Sequence, residues 1–175
     1  MHIGQEFRFA DWAIIHFIEN RGMAFGFEFG GSWGKLALSV FRIATVIAIF
    51  IWLKNLVKSK AKPISITCVS LIFAGAVGNI IDSAFYGLLF SESTYTHVAE
   101  FLPKEGGYEG FLYGRVVDMF YFPLFKGNLP EWLGGDYFIF FRPIFNLADA
   151  SISVGVGLLL LFQKTVFGTK EKPEL

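Results

Sequence analysis

The stretch PIFNLADASISVGVGLLLLF, residues 143–162, decides how the rest of this chain is interpreted. Its second half is apolar enough to lie inside lipid, and its first half carries Asn146 and Asp149. A spacing of three residues places both side chains on one face of a helix. Because an ionisable group at membrane depth costs free energy, it indicates function by default. We therefore expect the remaining chain to supply Asp149 with a partner, a substrate and a dry environment.

The composition is typical of a membrane protein of one domain's length. The 175 residues are 54% hydrophobic, 18% aromatic and only 17% charged, and the mean hydropathy is +0.52. The formal net charge is +0, which predicts no nucleic-acid partner. The single cysteine, Cys68, lies in an apolar run, so the sequence has neither a disulfide framework nor a metal-type cysteine spacing. We expect no metal and no cofactor.

Three segments are predicted to be transmembrane helices, because each approaches or exceeds the ~20 residues that cross hydrocarbon. They are residues 36–56, 64–89 and 144–166. The linker 57–63 and the tail 167–175 carry several lysines, so the positive-inside rule places both in the cytoplasm. Residues 1–35, a β region, and residues 90–143, a long loop with further β structure, are then outer segments. The predicted fold is an α-helical integral membrane protein, a single domain over residues 1–175 with three visible transmembrane helices, a small outer-face β-sheet and a long outer loop.

This topology leaves the N-terminal segment without a span that could carry it across the membrane. Residues 1–35 contain no apolar signal-like core and no cleavage-like site. We therefore expect a preceding helix to be missing from this chain, through truncation or a misplaced start.

The outer segments carry patterns that are typical of strands. Residues 3–29 alternate large apolar with polar or small residues, which predicts β structure with a turn at 19–22. Residues 115–122 and 136–141 are predicted to be strands or membrane-hugging segments. Two glycine-containing stretches are predicted turns, residues 106–110 and 127–130.

Two of the predicted helices carry polar residues that need an explanation. In helix 64–89, small residues at 74–78 would let another helix approach closely, and Asn79 and Asp82 repeat the spacing of Asn146 and Asp149. In helix 36–56, Arg42 has two interpretations. It either reaches the interface or pairs structurally, or it acts on the potential of a buried carboxylate.

Three acids could lie at the outer membrane boundary: Asp82, Asp118 and Asp149. Two carboxyl groups brought together do not both ionise readily, and an ionised one beside a protonated one can deprotonate water and protonate a leaving amine. The sequence contains no Ser-His-Asp order, zinc-protease motif or phosphate loop, so an aspartyl mechanism remains among hydrolytic ones. Each acid alone also fits a structural role, and residue chemistry does not choose between a protease and an acid-lined carrier.

Four blocks of the sequence, in this order, resemble those of the bacterial lipoprotein signal peptidases, also called signal peptidase II. They are ENRGMAFG at 19–26, GNIID at 78–82, GRVVDMF at 114–120 and FNLADASI at 145–152. The resemblance implies an intramembrane aspartyl endopeptidase that removes the signal peptide from diacylglyceryl-modified prolipoproteins, cutting before the lipidated cysteine. It implies a place in the bacterial inner membrane with the site at the outer, periplasmic face. We expect a monomer whose partners are the prolipoprotein substrate and membrane lipid.

Matching of the blocks also implies the site residues. Asp118 and Asp149 are expected to be the catalytic pair. The residues expected to orient this pair or the substrate are Asn20, Asn79, Asp82, Arg115 and Asn146. The outer sheet and the long outer loop are expected to form a cradle and a lid over the site.

The chain departs from the family pattern at three points. The family has four transmembrane helices, and the first is not visible here. The family usually has arginine directly after the Gly-Asn-x-x-Asp motif, whereas this chain has Ser83, and Arg115 or Arg142 is expected to substitute. The outer loop is also longer than usual, with insertions around residues 94–108 and 123–140.

Two alternatives to the peptidase stay open. One is a small cation- or proton-coupled carrier that uses Asp82 and Asp149 as a relay, and the other is an inactive, truncated family member. A carrier should have polar residues along the inner halves of its helices, but residues 46–53 and 156–162 are wholly apolar. This asymmetry favours a site on one side of the membrane.

Overall fold

The structure is a computed structural model that describes residues 1–20 and 31–167. The helices and strands are, in chain order, β1 (Glu6–Ala10), β2 (Ala13–Asn20), α1 (Gly31–Lys58), α2 (Pro63–Leu89), β3 (Val116–Tyr121), β4 (Phe125–Asn128), β5 (Tyr137–Phe140), β6 (Ile144–Phe145), α3 (Leu147–Leu161) and α4 (Gln163–Phe167). A short 3₁₀ turn, Glu131–Leu133, lies between β4 and β5. The chain forms two compact units, Met1–Leu36 with Ile81–Leu147, and Ala37–Ile80 with Ala148–Leu175.

The first unit contains an antiparallel four-stranded sheet in the order β1-β2-β3-β6. Along β2, Ile15 and Ile18 are three residues apart, but their partners on β3, Phe120 and Asp118, are only two apart. β2 therefore has one extra residue at this point, which is a β-bulge. Bulges bend a strand and change the direction of its side chains.

The bulge also explains the core of this sheet. Ile14 and Phe17 on β2 are both buried, with exposed fractions of 1% and 7%. In a regular strand, residues three apart point to opposite faces. The extra residue that follows Ile15 changes the alternation, so both side chains point to the same face of the sheet and are buried there.

β4 and β5 form a separate two-stranded hairpin. Phe125 pairs with Phe140, and Gly127 pairs with Phe138. Because side chains alternate along a strand, these four residues share one face of the hairpin. The opposite face carries Lys126, Asn128, Tyr137 and Ile139.

The loop after α2 caps the end of that helix within the first unit. The amides of Leu102 and Glu109 donate to the carbonyl oxygens of Leu89 and Gly87, at 2.7 Å and 3.0 Å. The last carbonyl groups of a helix have no partner inside the helix. The loop therefore satisfies groups that would otherwise need water.

Gly114 leads from this loop into β3 and lies directly against α2. Its amide donates to the Ser83 carbonyl oxygen at 2.9 Å. A Cβ atom at this position would lie 2.7 Å from the Asp82 carbonyl oxygen, closer than real Cβ contacts allow. Glycine is required here because the two backbones touch, and the contact fixes where β3 begins.

In the second unit, α2 and α3 cross at glycines. A Cβ atom at Gly75 would overlap the carbonyl oxygen of Ala148, and one at Gly155 would lie 2.9 Å from the Cys68 carbonyl oxygen. Small residues allow such close approach between helices in lipid. The close helix packing predicted for residues 74–78 is therefore confirmed.

Within the described residues, two helices are long and apolar enough to cross a membrane, Trp33–Lys58 and Pro63–Leu89. In the most apolar 18-residue stretch of each helix, only 6% and 22% of the residues, respectively, are buried inside the protein. These helices therefore expose apolar side chains. A helix at the core of a soluble protein would bury most of them. The third predicted span corresponds to a shorter apolar helix, Leu147–Leu161.

The helix bounds differ from those predicted. α1 begins at Gly31, so the last residues of the predicted β region 1–35 belong to a helix. The first turn of this helix is not apolar enough for hydropathy to reveal it. The linker is 59–62 rather than 57–63, because Pro63 already starts α2. Proline is favoured at a first helical position, where its missing amide costs no hydrogen bond.

The predicted helix 144–166 is divided into three elements. Ile144 and Phe145 form β6, α3 runs from Leu147 to Leu161, and α4 follows at Gln163. A short apolar run does not distinguish strand from helix, and here the pairing of β6 with β3 decides for a strand.

Strand pairing also overrides two predicted turns. Residues 19–20 continue β2, and residues 127–128 belong to β4, because cross-strand contacts outweigh local turn preference. The strands predicted within 115–122 and 136–141 are confirmed as β3 and β5. The β structure predicted for residues 21–29 lies outside the described residues.

Candidate active site

Asp118 lies in the middle of β3 and is only 2% exposed. Asn20, at the end of β2, donates from Nδ2 to Asp118 Oδ2 at 3.2 Å. Asn146, directly after β6, donates from Nδ2 to Asp118 Oδ1 at 2.8 Å. Asn20 at the end of β2 and Asn146 just after β6 thus each donate one hydrogen bond to a different oxygen of the Asp118 carboxylate. These bonds fix the orientation of the carboxylate and offset the cost of its burial.

The β2 bulge turns the Asn20 side chain toward Asp118. Asn20 pairs with Val116, two residues before Asp118, so both side chains point to the same face. Without the extra residue, the register set by Ile15 and Phe120 would pair Asn20 with Arg115. A shift of one residue moves a side chain to the other face of the sheet, where Asn20 could not reach the carboxylate.

Asp149 lies in the first turn of α3. Asn79 of α2 donates from Nδ2 to Asp149 Oδ1 at 2.8 Å, and the neighbouring Ala148 packs on Gly75. A carboxylate in the first turn of a helix interacts favourably with the helix dipole. Arg42 on α1 interacts electrostatically with Asp149, which fits both a structural pairing of Arg42 and an effect on the potential of this carboxylate.

Asp82 contacts the backbone of β3. Its Oδ2 accepts a hydrogen bond from the Val117 amide at 3.4 Å, a long and therefore weak bond. Val117 directly precedes Asp118, so any orienting effect of Asp82 on that carboxylate passes through the β3 backbone.

Arg115 is held by two acids other than Asp82. Its Nη1 lies 3.1 Å from Glu19 Oε2, and its Nη2 lies 2.8 Å from Glu92 Oε1. Arg115 therefore does not take the place of the arginine that the family has beside Asp82. The second candidate for that place, Arg142, is exposed.

Tyr108 completes the surroundings of Arg115. Its ring centre lies 5.0 Å from the guanidinium carbon, a cation–π distance. The Arg115 amide also donates to the Tyr108 hydroxyl at 2.8 Å. Desolvation, with a further contribution from the charge of Glu19, raises the pKa of Tyr108 to about 12, so the hydroxyl stays neutral near pH 7.

Glu19, Glu92 and Tyr108 are not among the predicted site residues. The Glu19 side chain is 1% exposed, and within the described part of the chain its Oε1 is buried without a hydrogen-bond partner. An acid that ends a β-branched, aromatic run is a detectable signal, because a buried charge must be paired. Glu92, with a side chain 56% exposed, offers no such signal.

Each of the two units contains a carboxylate held by amides. Asp118, in the first unit, accepts from Asn20 and Asn146, and Asp149, in the second unit, accepts from Asn79. A carboxylate can take a proton from water and a carboxylic acid can give one to a leaving amine. Across residues 1–20 and 31–167, no cluster of three or more His, Cys, Asp or Glu is placed to hold a metal ion.

The model of one protein family, described as signal peptidase (SPase) II, matches residues 1–165. The chain belongs to the signal peptidase II family. A lipoprotein signal peptidase of Porphyromonas gingivalis is 48% identical, over 99% of this chain and 79% of that protein. A lipoprotein signal peptidase of Amoebophilus asiaticus is 35% identical, over 91% of this chain and 64% of that protein.

Two solved structures of bacterial membrane enzymes have a similar fold. One, determined in meso at 2.3 Å resolution, has a TM-score of 0.56 and 24% identity, and the match covers 99% of this chain and 80% of the other. The second, at 1.9 Å resolution, has a TM-score of 0.54 and 26% identity, covering 93% and 77%. The first of these supports the fold alone.

Family membership confirms the resemblance drawn from the four sequence blocks. The protein is an aspartic peptidase of the signal peptidase II type and a membrane enzyme. The number of membrane-spanning helices stays a prediction.

Proposed function

We propose that this protein removes the signal peptide from diacylglyceryl-modified prolipoproteins by cutting before the lipidated cysteine. The observation that carries the proposal is the environment of Asp118, a 2% exposed carboxylate that accepts amide hydrogen bonds from Asn20 and Asn146. Burying a carboxylate costs free energy unless it is hydrogen-bonded, and here two asparagine side chains supply the donors. Asp118, Asn20 and Asn146 all belong to sequence blocks that resemble those of the signal peptidase II family.

Asp118 and Asp149 act as the catalytic pair in this proposal. The ionised carboxylate takes a proton from a water molecule, whose oxygen attacks the carbonyl carbon of the scissile peptide. The protonated carboxyl then gives its proton to the leaving amine as the C–N bond breaks. Asn20, Asn146 and Asn79 hold the two carboxyl groups in the orientation that these proton transfers need.

We place the enzyme in the bacterial inner membrane, as a multi-pass monomer with its site at the outer, periplasmic face. The charge of the linker between α1 and α2 supports this orientation. Lys58, Lys60 and Lys62 lie in or beside it without an acid, and lysine-rich short loops stay in the cytoplasm. The diacylglyceryl chains of the substrate would then reach the site from the surrounding lipid.

A cleavage assay with a diacylglyceryl-modified prolipoprotein in proteoliposomes tests the proposal. Asp118→Asn and Asp149→Asn should each lower the cleavage rate by about 10²–10⁴-fold, the range for loss of a general acid or base. Asp11→Asn is the matched control, because Asp11 is exposed in the turn between β1 and β2. Full activity of either active-site variant would contradict the assignment.

The same assay decides between the peptidase and the two alternatives. Turnover by the 175-residue chain excludes an inactive family member. A wild-type chain that inserts normally but never cleaves would instead support that alternative. The carrier is disfavoured by family membership, and cleavage that depends on both aspartates would exclude it as the main activity.

A further inference from the structure

The β4–β5 hairpin carries an exposed aromatic face that the proposed reaction does not use. Phe125, Phe138 and Phe140, named here the phenylalanine face, are 71%, 45% and 48% exposed. Phe140 contacts both other rings, with ring centres 6.1 Å and 6.4 Å apart. Gly127 occupies the fourth position of this face, so it contains no charged or polar side chain.

The opposite face of the hairpin has a different chemistry. It carries the cationic side chain of Lys126, the amide of Asn128 and the hydroxyl of Tyr137, together with one apolar side chain, Ile139. The hairpin is therefore amphipathic across its thickness. Trp132, in the connection between the two strands, is 81% exposed, and Trp and Tyr are enriched where membranes meet water.

A two-stranded hairpin is marginally stable by itself in water. Covering an apolar face stabilises it in proportion to the area removed from water. Clustered exposed apolar side chains of this kind mark an interaction surface. We therefore expect another molecule or the lipid bilayer to cover the phenylalanine face.

The chain itself limits what that occupant can be. Phe140 ends β5, and Leu147 starts the apolar helix α3 only seven residues later. Seven residues span at most about 24 Å when extended, so the hairpin stays close to the point where the chain enters lipid. An apolar face with a cation, an amide and a hydroxyl on its other side matches the acyl–headgroup boundary.

We propose that the β4–β5 hairpin is a membrane-interface anchor, which inserts the phenylalanine face into the lipid boundary and turns Lys126 and Tyr137 toward water. The occupant of this face is the bilayer. An anchor of this kind would restrain the outer loop at the lipid surface independently of catalysis.

Fluorescent labels on single cysteines test this proposal. Cys68 is fully buried, at 0% exposed, so a label reacts with an introduced surface cysteine. Phe125→Cys and Lys126→Cys are adjacent and on opposite faces, and Phe138→Cys and Tyr137→Cys form a second matched pair. Each labelled protein is placed in vesicles of phosphatidylethanolamine and phosphatidylglycerol, with nitroxide on the lipid acyl chains.

Labels at 125 and 138 should be quenched by the lipid nitroxide at least about twofold more than labels at 126 and 137, because an interfacial face lies about 5–10 Å into the boundary. A water-soluble quencher should give the opposite order. Equal quenching within both pairs would overturn the proposal. So would a disulfide between two Phe125→Cys chains without lipid quenching, since that result would make a second copy the occupant.

Discussion

Arg115 Nη1 donates to Glu19 Oε2 at 3.1 Å, and the Glu19 side chain is almost completely buried. Glu19 directly precedes Asn20, which donates to Asp118. The ion pair thus supports the end of β2 from which the asparagine reaches the carboxylate. We propose that Arg115 is a positioning residue, which acts on Asp118 through Glu19 and Asn20.

Arg115→Gln should destabilise the protein by about 3–5 kcal/mol, because it leaves a buried charge without its partner. Glu92→Gln removes only the exposed partner of Arg115 and should cost less than about 1 kcal/mol. Thermal unfolding in detergent measures both effects. The double variant Glu19→Gln with Arg115→Gln should regain part of the loss, as a double-mutant cycle would show. No recovery in the double variant would mean that the pair is not coupled.

Tyr108→Phe should change how the stability of the protein depends on pH above about pH 10. The pKa of Tyr108 is about 12 in the folded protein, mainly through desolvation, above its ordinary value of about 10. As pH rises past 10, the unfolded phenol releases its proton while the folded one keeps it. Tyr108 therefore contributes stability below pH 10, and this is lost between about pH 10 and 12.

The wild type should consequently lose melting temperature more steeply than Tyr108→Phe above pH 10. At pH 7 the variant should be less stable by about 1 kcal/mol, because the Arg115 amide loses its acceptor. Melting curves from pH 7 to 11 measure both effects. Parallel curves above pH 10 would contradict the raised pKa.

Gly75→Ala should separate α2 from α3. The added methyl group would overlap the Ala148 carbonyl oxygen, and overpacking of this kind costs about 1–3 kcal/mol. Because Ala148 precedes Asp149, the cleavage rate should fall as well. Gly157→Ala on α3 is the control, since a Cβ atom there meets no atom within 4 Å. Equal behaviour of the two variants in unfolding and cleavage would refute the close contact.

Gly114→Ala should displace the start of β3. Its methyl group would lie 2.7 Å from the Asp82 carbonyl oxygen, which is backbone and moves only with the helix. We expect a loss of about 1–3 kcal/mol and a lower cleavage rate. Gly110→Ala, in the same loop but with open space around it, should stay within about 0.5 kcal/mol of the wild type. A stable and active Gly114→Ala variant would argue against this contact.

Hydropathy and strand alternation predicted the main elements in this protein. The long apolar runs predicted α1 and α2, and the alternation within residues 3–29 predicted the β structure of β1 and β2. Asn146 and Asp149 are predicted site residues because of their spacing in an apolar run and because of the block FNLADASI at 145–152. Asn146 in fact precedes α3 and donates to Asp118, whereas Asp149 lies inside the helix and accepts from Asn79.

Long-range pairing caused most of the differences. Ile144 and Phe145 look like the start of a helix in sequence, and only β3 makes them a strand. Glu19 looks like a turn residue, but its partner Arg115 is far away in the chain. The partner of a buried side chain can lie far away in the sequence, so local sequence patterns do not predict such pairs.

The extra residue in β2 links the length of that strand to the proposed catalytic site. Removing one residue between Ile15 and Ile18 would restore a regular ladder and turn the Asn20 amide away from Asp118. The strand could remain paired and the protein folded while the carboxylate lost its donor. Insertions and deletions should therefore be tolerated between β4 and β5, where the connection is exposed, but not by a single residue in β2. The proposed site thus depends on the chain length of β2 as well as on residue identity.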